Sequence, residues 1–528
     1  MKKIFLSAIV LLLIAGHSIA QIDDAAKYAA NITGDNLKKH LTIIASDEME
    51  GRETGTEGQR KAAAYIQEQF KLLGLQQAPA LKGYQQYYPL VNDSMISSSL
   101  KIGTKTFSYG TDYYSPVLFN ATKKTVANKI VFAGYGIDEK NYNDYAGKDV
   151  KGKIVVLFLG EPKANGKYIL SGNSNSSKYS YPGISHKLAI AKKKGAIGAI
   201  VIYPWIDTFN TALIEKTAKN ATPAFPRESD VSINYNVLSH EAAKKLFSKW
   251  KMDSLIEKAK SYEPLNSKKT TDITAAYTFN YKKKRTEVMA SNVLGFIEGS
   301  DKKDEYVFLT AHYDHLGKHD GKIYYGADDD GSGTCAVLQM ATAFAKAKAE
   351  GHGPRRTIVF MTVSGEEKGL WGSEYYSDHP VFPLDKTSVD LNTDMVGRID
   401  TERQLDDTMS YVYVIGHDKI SSDLPIINEG VNNKYTNLTL DYKFDDPNDQ
   451  ERIYYRSDHY NFARKGVPIL FFYDGMLLAD YHQPTDTVEK ITWPLYEKRV
   501  RMIFHTAWEI ANRDEMLRRD KPLPPGER

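Results

Sequence analysis

The sequence predicts an α/β protein: a mixed, mostly parallel sheet flanked by helices, with a β-rich α/β module inserted into it. Three observations carry this. Beyond Asn292, short, strongly apolar runs alternate with segments of helical periodicity, the pattern of strands buried on both faces by helices. Between residues 91 and 263 the character changes to shorter strands separated by polar turns. The chain has 528 residues, more than one ordinary core accommodates. The expected organisation is a leader over 1–20, the start of the main domain over 21–90, the insertion over 91–263 and the rest of the main domain over 264–528.

Taken in order, the chain opens with Lys2-Lys3, a mainly apolar run from Ile4 to Ala15, and the small residues Ser18 and Ala20. This predicts a signal peptide cut near Ala20 and a secreted or periplasmic product, because so short a run does not span a bilayer. Helical spacing then appears over Asp35–Ala45 and Thr56–Leu73, the second with Ala63, Ile66 and Phe70 on one stripe and Gly74 as its stop. The polar stretch Ser46–Arg52 between them reads as a turn. In the insertion, Ile130–Ala133, Ile154–Leu159 and Ile197–Tyr203 read as strands. His186–Lys194 reads as a helix whose terminal lysines suit its last turn. After Asn292, strands are expected at Val293–Ile297, Tyr306–Thr310, Thr357–Val363, Val389–Asn392 and Val467–Tyr473, and helices at Gly333–Ala349 and Leu495–Arg513.

Composition excludes several function classes. Hydrophobic residues make up 42% and charged residues 26%, which is that of a folded globular chain. The formal net charge is +3, and removing Lys2 and Lys3 from 69 basic against 66 acidic residues leaves +1. Nucleic acid and an anionic membrane surface are therefore not the expected partners, and no other segment approaches membrane-spanning length. The single cysteine, Cys335, lies in an apolar helical pattern and is expected in the core.

Polar residues that carry chemistry cluster just after the apolar strands, where ligands of open α/β sheets bind. They are His312-Tyr-Asp314-His315, Gly326-Ala-Asp328-Asp329-Asp330-Gly331-Ser-Gly333, Ser364-Gly365-Glu366-Glu367, Asp394, and Tyr481-His482-Gln-Pro-Thr-Asp486. Imidazole and carboxylate together suit zinc. Two metal ions about 3.5–4 Å apart need an anionic bridge, which a carboxylate supplies and a neutral imidazole does not. Adjacent Glu366 and Glu367 suit a division in which one binds metal and the other moves a proton. Asp314, two residues beyond His312 on an extended segment, is placed to accept from the second ring nitrogen of that histidine.

This ordered set resembles peptidase family M28, the di-zinc peptidases that are mostly aminopeptidases. Ala45-Ser-Asp-Glu-Met-Glu-Gly-Arg52 is similar to the lead-in of bacterial members. Ala133-Gly-Tyr-Gly136, Asp149-Val-Lys-Gly-Lys-Ile-Val and Lys194-Gly-Ala-Ile-Gly-Ala resemble the protease-associated domain often inserted in the family. The resemblance implies two Zn2+ per chain. His312 and Asp394 would serve one ion and Glu367 and His482 the other, with Asp329 as bridge, Glu366 as general base, Asp314 behind His312 and Tyr481 near the oxyanion. It also implies a cis peptide between Asp329 and Asp330, and a peptide or protein substrate. Arg398 and Arg456, near the motifs, keep a carboxypeptidase open beside the aminopeptidase. A catalytically inactive binding protein on the same fold is the alternative from another class.

Overall fold

In the computed structural model, the structure describes residues 24–180, 183–219, 223–226, 233–266 and 272–523. The expected leader lies outside the described residues. The chain divides into two units, one of residues 1–88 with 290–528, the other of residues 89–289. The inserted unit thus ends later than the expected boundary at 263. The reason is a pairing that sequence periodicity does not reveal: 273–281 runs antiparallel to 123–130 and completes the inserted unit's sheet.

Among the described residues, seven strands make up the main unit's part of the sheet, and Gln85–Ile102 also pairs with Ile273–Ile297. The seven are β1 (the end of Ile273–Ile297), β2 (Lys302–His312), β3 (Arg356–Val363), β4 (Thr387–Thr393), β5 (Tyr411–Ile415), β6 (Thr439–Asp441) and β7 (Ile469–Tyr473). Their order is β6-β5-β7-β4-β2-β3-β1. The four central strands, β3, β2, β4 and β7, are mutually parallel. Strands β1 and β5 run antiparallel to their inner neighbours, and β6 runs parallel to β5. Every residue of β3, β4 and β7 is buried, so β3 and β7 read as largely apolar runs, whereas β4 buries Asp390 and Asn392 as acceptors of the Thr310 hydroxyl.

Eight helices accompany the sheet: α1 (Asp24–Ala29), α2 (Gly34–Ile44), α3 (Glu57–Leu72), α4 (Gly331–Ala349), α5 (Trp371–Asp378), α6 (Asp423–Tyr435), α7 (His459–Ala463) and α8 (Trp493–Asn512). Thr33 caps α2, its hydroxyl accepting from the Asn36 amide. Helix α4 is buried along most of its length and carries Cys335, Val337, Leu338, Ala341 and Phe344 into the core, as the pattern predicts. Strand β5 and helices α5 and α6 are absent from the sequence reading. No helix among the described residues is long and apolar enough to cross a membrane.

The inserted unit has its own sheet. Ile154–Phe158 lies between Lys123–Phe132 and Gly198–Ile202, parallel to both, and Tyr235–Leu238 extends it beside Gly198–Ile202. Apolar clusters cover both faces, one around Phe132, Phe158 and Trp250, the other around Val155, Leu188 and Val201. The helix expected at His186–Lys194 spans Ile184–Lys193.

The stretch Ser46–Arg52, read as a polar turn, is a 3-10 segment over Asp47–Arg52 that ends in a fully buried arginine. The Arg52 guanidinium donates to the carbonyls of Ile44, Tyr313, Tyr325 and Gly326 at 2.7–2.8 Å. One side chain thereby ties the amino-terminal helices to the end of β2 and to the loop before α4. Replacing it by an apolar residue strands four buried acceptors. Arg52→Met is expected to lower the unfolding free energy by at least about 3 kcal/mol, read as a lower denaturant midpoint with an unchanged slope.

Candidate metal centre

Because β3, β2, β4 and β7 are parallel neighbours, their carboxyl ends emerge at one edge of the sheet. His312 ends β2, Glu366 and Glu367 follow β3, Asp394 follows β4, and His482 lies on the loop beyond β7. Asp329 comes from the loop that enters α4. Two sets of three side chains converge there: His312, Asp329 and Asp394, and His315, Asp329 and Glu367. His312 Nε2 stands 3.2 Å from Asp329 Oδ1 and 3.5 Å from Asp394 Oδ1. His482 Nε2 stands 3.2 Å from Asp329 Oδ2 and 3.0 Å from Glu367 Oε2, so it joins the second set. Asp329 offers one oxygen to each side, the arrangement a bridging carboxylate requires.

The loop that presents Asp329 is held by other carboxylates. Asp486 accepts the amides of Asp328 and Asp329. Asp330 caps α4 at the Gly333 amide and also accepts the amides of His312 and Met395, joining three segments at one side chain. Ser332 accepts the Val396 amide, and Asp328 accepts that of Gly397. The peptide between Asp329 and Asp330 is cis, as the family resemblance implies. A Cβ at Gly333 would lie 2.2 Å from the Thr393 carbonyl oxygen, and Gly326 has a φ of +52° with the His315 ring against it. The glycines and serine of the motif are thus explained by backbone approach.

Asp314 departs from expectation. His312 Nδ1 donates to the Asp314 backbone carbonyl at 3.0 Å, while the Asp314 carboxylate stands 3.6 Å away. The carboxylate instead accepts from the Thr54 hydroxyl at 2.7 Å and from the Glu366 amide at 3.2 Å. Thr54 also accepts the Gly365 amide. The turn after β3 needs acceptors for its free amides and takes this side chain; the carbonyl already fixes the His312 tautomer. Ser457, whose role the sequence leaves open, donates to Asp394 Oδ2 at 2.6 Å and accepts from Asn392.

The electrostatics favour cations. Burial alone would lower the His482 imidazole, but Asp329 and Glu367 outweigh it and hold it up at about 10. Burial would raise Asp329 and Glu367, yet the surrounding imidazoles keep both below the ordinary carboxylate range. Glu366 behaves oppositely: burial pushes it well up, aided by Asp394 and Glu367 against the pull of His312. The buried atoms His312 Nε2, Asp329 Oδ2 and Glu367 Oε1 lack hydrogen-bond partners among the described residues. Unpaired buried donor atoms with this nitrogen and oxygen chemistry fit divalent metal ions.

Residues 292–507, which contain every one of these ligands, match the family model of peptidase family M28. Over this stretch the chain is similar to peptidase family M28. A protein described as a probable leucine aminopeptidase of Trichophyton verrucosum is 28% identical over 229 residues, covering 42% of this chain and 58% of its own length. A probable zinc metalloprotease of Pyrenophora tritici-repentis is 37% identical over 119 residues, 21% of this chain and 22% of its own. The chain thus spans little more than half the length of the first of these relatives and less of the second. Among solved structures, an aminopeptidase from Aneurinibacillus sp. strain AM-1 aligns over 95% of this chain and 98% of its own with a TM-score of 0.53 at 18% identity, a likeness of fold.

In the main unit a pocket opens beside these side chains. It is lined by Asp329, Glu366 and Asp394 on one side and by Met395, Ile453, Phe471, Tyr473, Leu477 and Tyr481 on others, with Arg456 and Ser457. Tyr481 stacks on His482, its ring centroid 3.8 Å away, and accepts from Arg456 Nη2 at 3.2 Å. Arg398 is paired with Asp480 at 2.8 Å and does not line the pocket. His315, quoted in the motif without a role, is the residue that sequence reasoning passed over. Its one signal was its place three residues after His312.

Asp486 supports the loop that carries Asp329, and its removal leaves two buried amides unpaired. Asp486→Leu is expected to cost about 2–4 kcal/mol of stability, measured by denaturant unfolding, while Asp486→Asn, which keeps one acceptor oxygen, loses less than half as much.

Proposed function

We propose that the chain is a secreted or periplasmic zinc exopeptidase, acting as an aminopeptidase with two zinc ions per chain. One observation carries the reading: two ligand sets share Asp329, and Glu366, a carboxylate belonging to neither, stands 3.9 Å from His312 Nε2 on the pocket wall. The names of the similar proteins, a leucine aminopeptidase and a zinc metalloprotease, point the same way. The leader-like residues 1–20 support export.

His312 and Asp394 would hold one ion and Glu367 and His482 the other, with Asp329 shared between the two sets. When bound, the two zinc ions supply Lewis-acid polarisation of the scissile carbonyl and acidify the attacking water. Glu366 takes the proton from that water and returns it to the leaving amine. Its raised affinity for a proton, which follows from burial, suits that exchange. Tyr481, oriented by Arg456 and by stacking on His482, donates to the developing oxyanion. Asp314 and Thr54 fix the backbone that carries Glu366 and so its reach. Ser457 keeps Asp394 in one orientation.

The pocket's carboxylates, Glu366 and Asp394, suit the ammonium of a peptide amino terminus. A carboxypeptidase is the second reading, favoured by Arg456, which lines the same pocket and meets Glu451 only at 3.4 Å. The inserted unit is assigned a part in admitting or selecting substrate, in keeping with its protease-associated resemblance.

Elemental analysis of the purified chain is expected to find two zinc ions, and a chelator to abolish hydrolysis of amino-acyl amides that added zinc restores. Blocking the substrate amino group is expected to stop turnover; preference for the blocked peptide would select the carboxypeptidase. Glu366→Gln is expected to retain both ions and lose at least about 1,000-fold in kcat with little change in KM. Retained turnover would remove Glu366 from the proton transfer.

A further inference from the structure

His315 has no exposed surface, and neither ring nitrogen has a hydrogen-bond partner among the described residues. Its Nδ1 nevertheless lies 2.7 Å from Glu367 Oε1 and 3.7 Å from Asp329 Oδ2. The shorter distance is that of a close ion pair. One ligand atom from each of His315, Asp329 and Glu367 lies within 4.8 Å of the others, close enough for the three to share one cation. His482 Nε2 stands in the same relation to Glu367 Oε2 and Asp329 Oδ2, and the His315 and His482 rings meet nearly edge-on with centroids 5.9 Å apart.

Histidines that serve the backbone behave differently. His459, equally buried, places Nε2 2.8 Å from the Tyr454 carbonyl oxygen. His315 is also held without slack, since a Cβ on Gly326 would fall 2.5 Å from its ring, and the Gly326 carbonyl is fixed by Arg52. A buried imidazole with both nitrogens unsatisfied is costly, and a coordinated cation would satisfy the nitrogen that faces the carboxylates.

We propose that His315 Nδ1 is a further protein ligand of the ion held by Glu367, His482 and Asp329. This rests on the metallopeptidase reading above and adds to it an asymmetry. The Glu367 side has two imidazoles, whereas the His312–Asp394 side, which faces Glu366, has one. The Glu367 side therefore holds its ion more tightly and gives it up last to a chelator, and the side next to the general base keeps the more open coordination.

The test uses the full chain loaded with cobalt(II) in place of zinc. Each coordinated histidine then contributes one exchangeable, strongly shifted ring N–H proton signal. The native chain is expected to show three, from His312, His315 and His482, and His315→Gln to show two. Chelator competition should find the tighter of the two binding constants weakened by at least about 100-fold in His315→Gln, with the apo forms of both proteins melting together. Two shifted signals in the native chain would overturn the proposal without the need of any variant, as would unchanged binding constants in His315→Gln. A native chain that binds fewer than two ions would take down the di-zinc reading itself, a result separable from either of these.

Discussion

A single buried carboxylate sets the terms for the rest of the main unit. Asp329 has to face two ligand sets at once, one oxygen toward His312 and Asp394 and the other toward Glu367 and His482. A charge at that depth survives only with counter-charge and with its backbone amides paired. The surrounding imidazoles supply part of the first and Asp486 the second. The parallel order of β3, β2, β4 and β7 then matters because it delivers residues from four chain segments to the same edge.

The loops at that edge are fixed chiefly by side chains rather than by sheet or helix hydrogen bonds. Asp330 joins the ends of β2 and β4 to the start of α4, Asp314 and Thr54 secure the turn that bears Glu366, and Arg52 collects four carbonyls. Buried polar networks of this kind are rigid when every member is satisfied. Rigidity of this kind would serve the proposed hydrolysis, in which a base must reach the attacking water without reorganisation. The atoms left unsatisfied are therefore informative: among them are atoms of His312, His315, Asp329 and Glu367, members of the two candidate ligand sets.

The inserted unit obeys separate logic. Its sheet is closed by 273–281, a segment that looks from its sequence like the approach to the main domain. Strand Ile273–Ile297 begins in one unit and ends in the other, so no change of composition marks the boundary. Its first half is alternating and half exposed, and its last residues are buried on both faces.

Much of this protein was determined by local sequence. Apolar runs and helical spacing located the central strands and helices α2, α3, α4 and α8 to within a residue or two, save that β2 begins at Lys302, four residues before the expected Tyr306, because burial on both faces writes a largely apolar signature. The ordered motifs singled out His312, Asp329, Glu366, Glu367, Asp394 and His482, and the fold brings these side chains to one edge of the sheet. What only the tertiary structure decided are the pairings between distant segments. Asp314 was expected to serve His312 by carboxylate and does so by its carbonyl, since the turn after β3 claims the side chain. Arg52 looked like part of a solvated turn and is buried among carbonyls from 44 to 326. His315 looked incidental and stands against Glu367. Each outcome depends on which backbone groups are left unpaired when separate segments close on one another, and no local pattern records that.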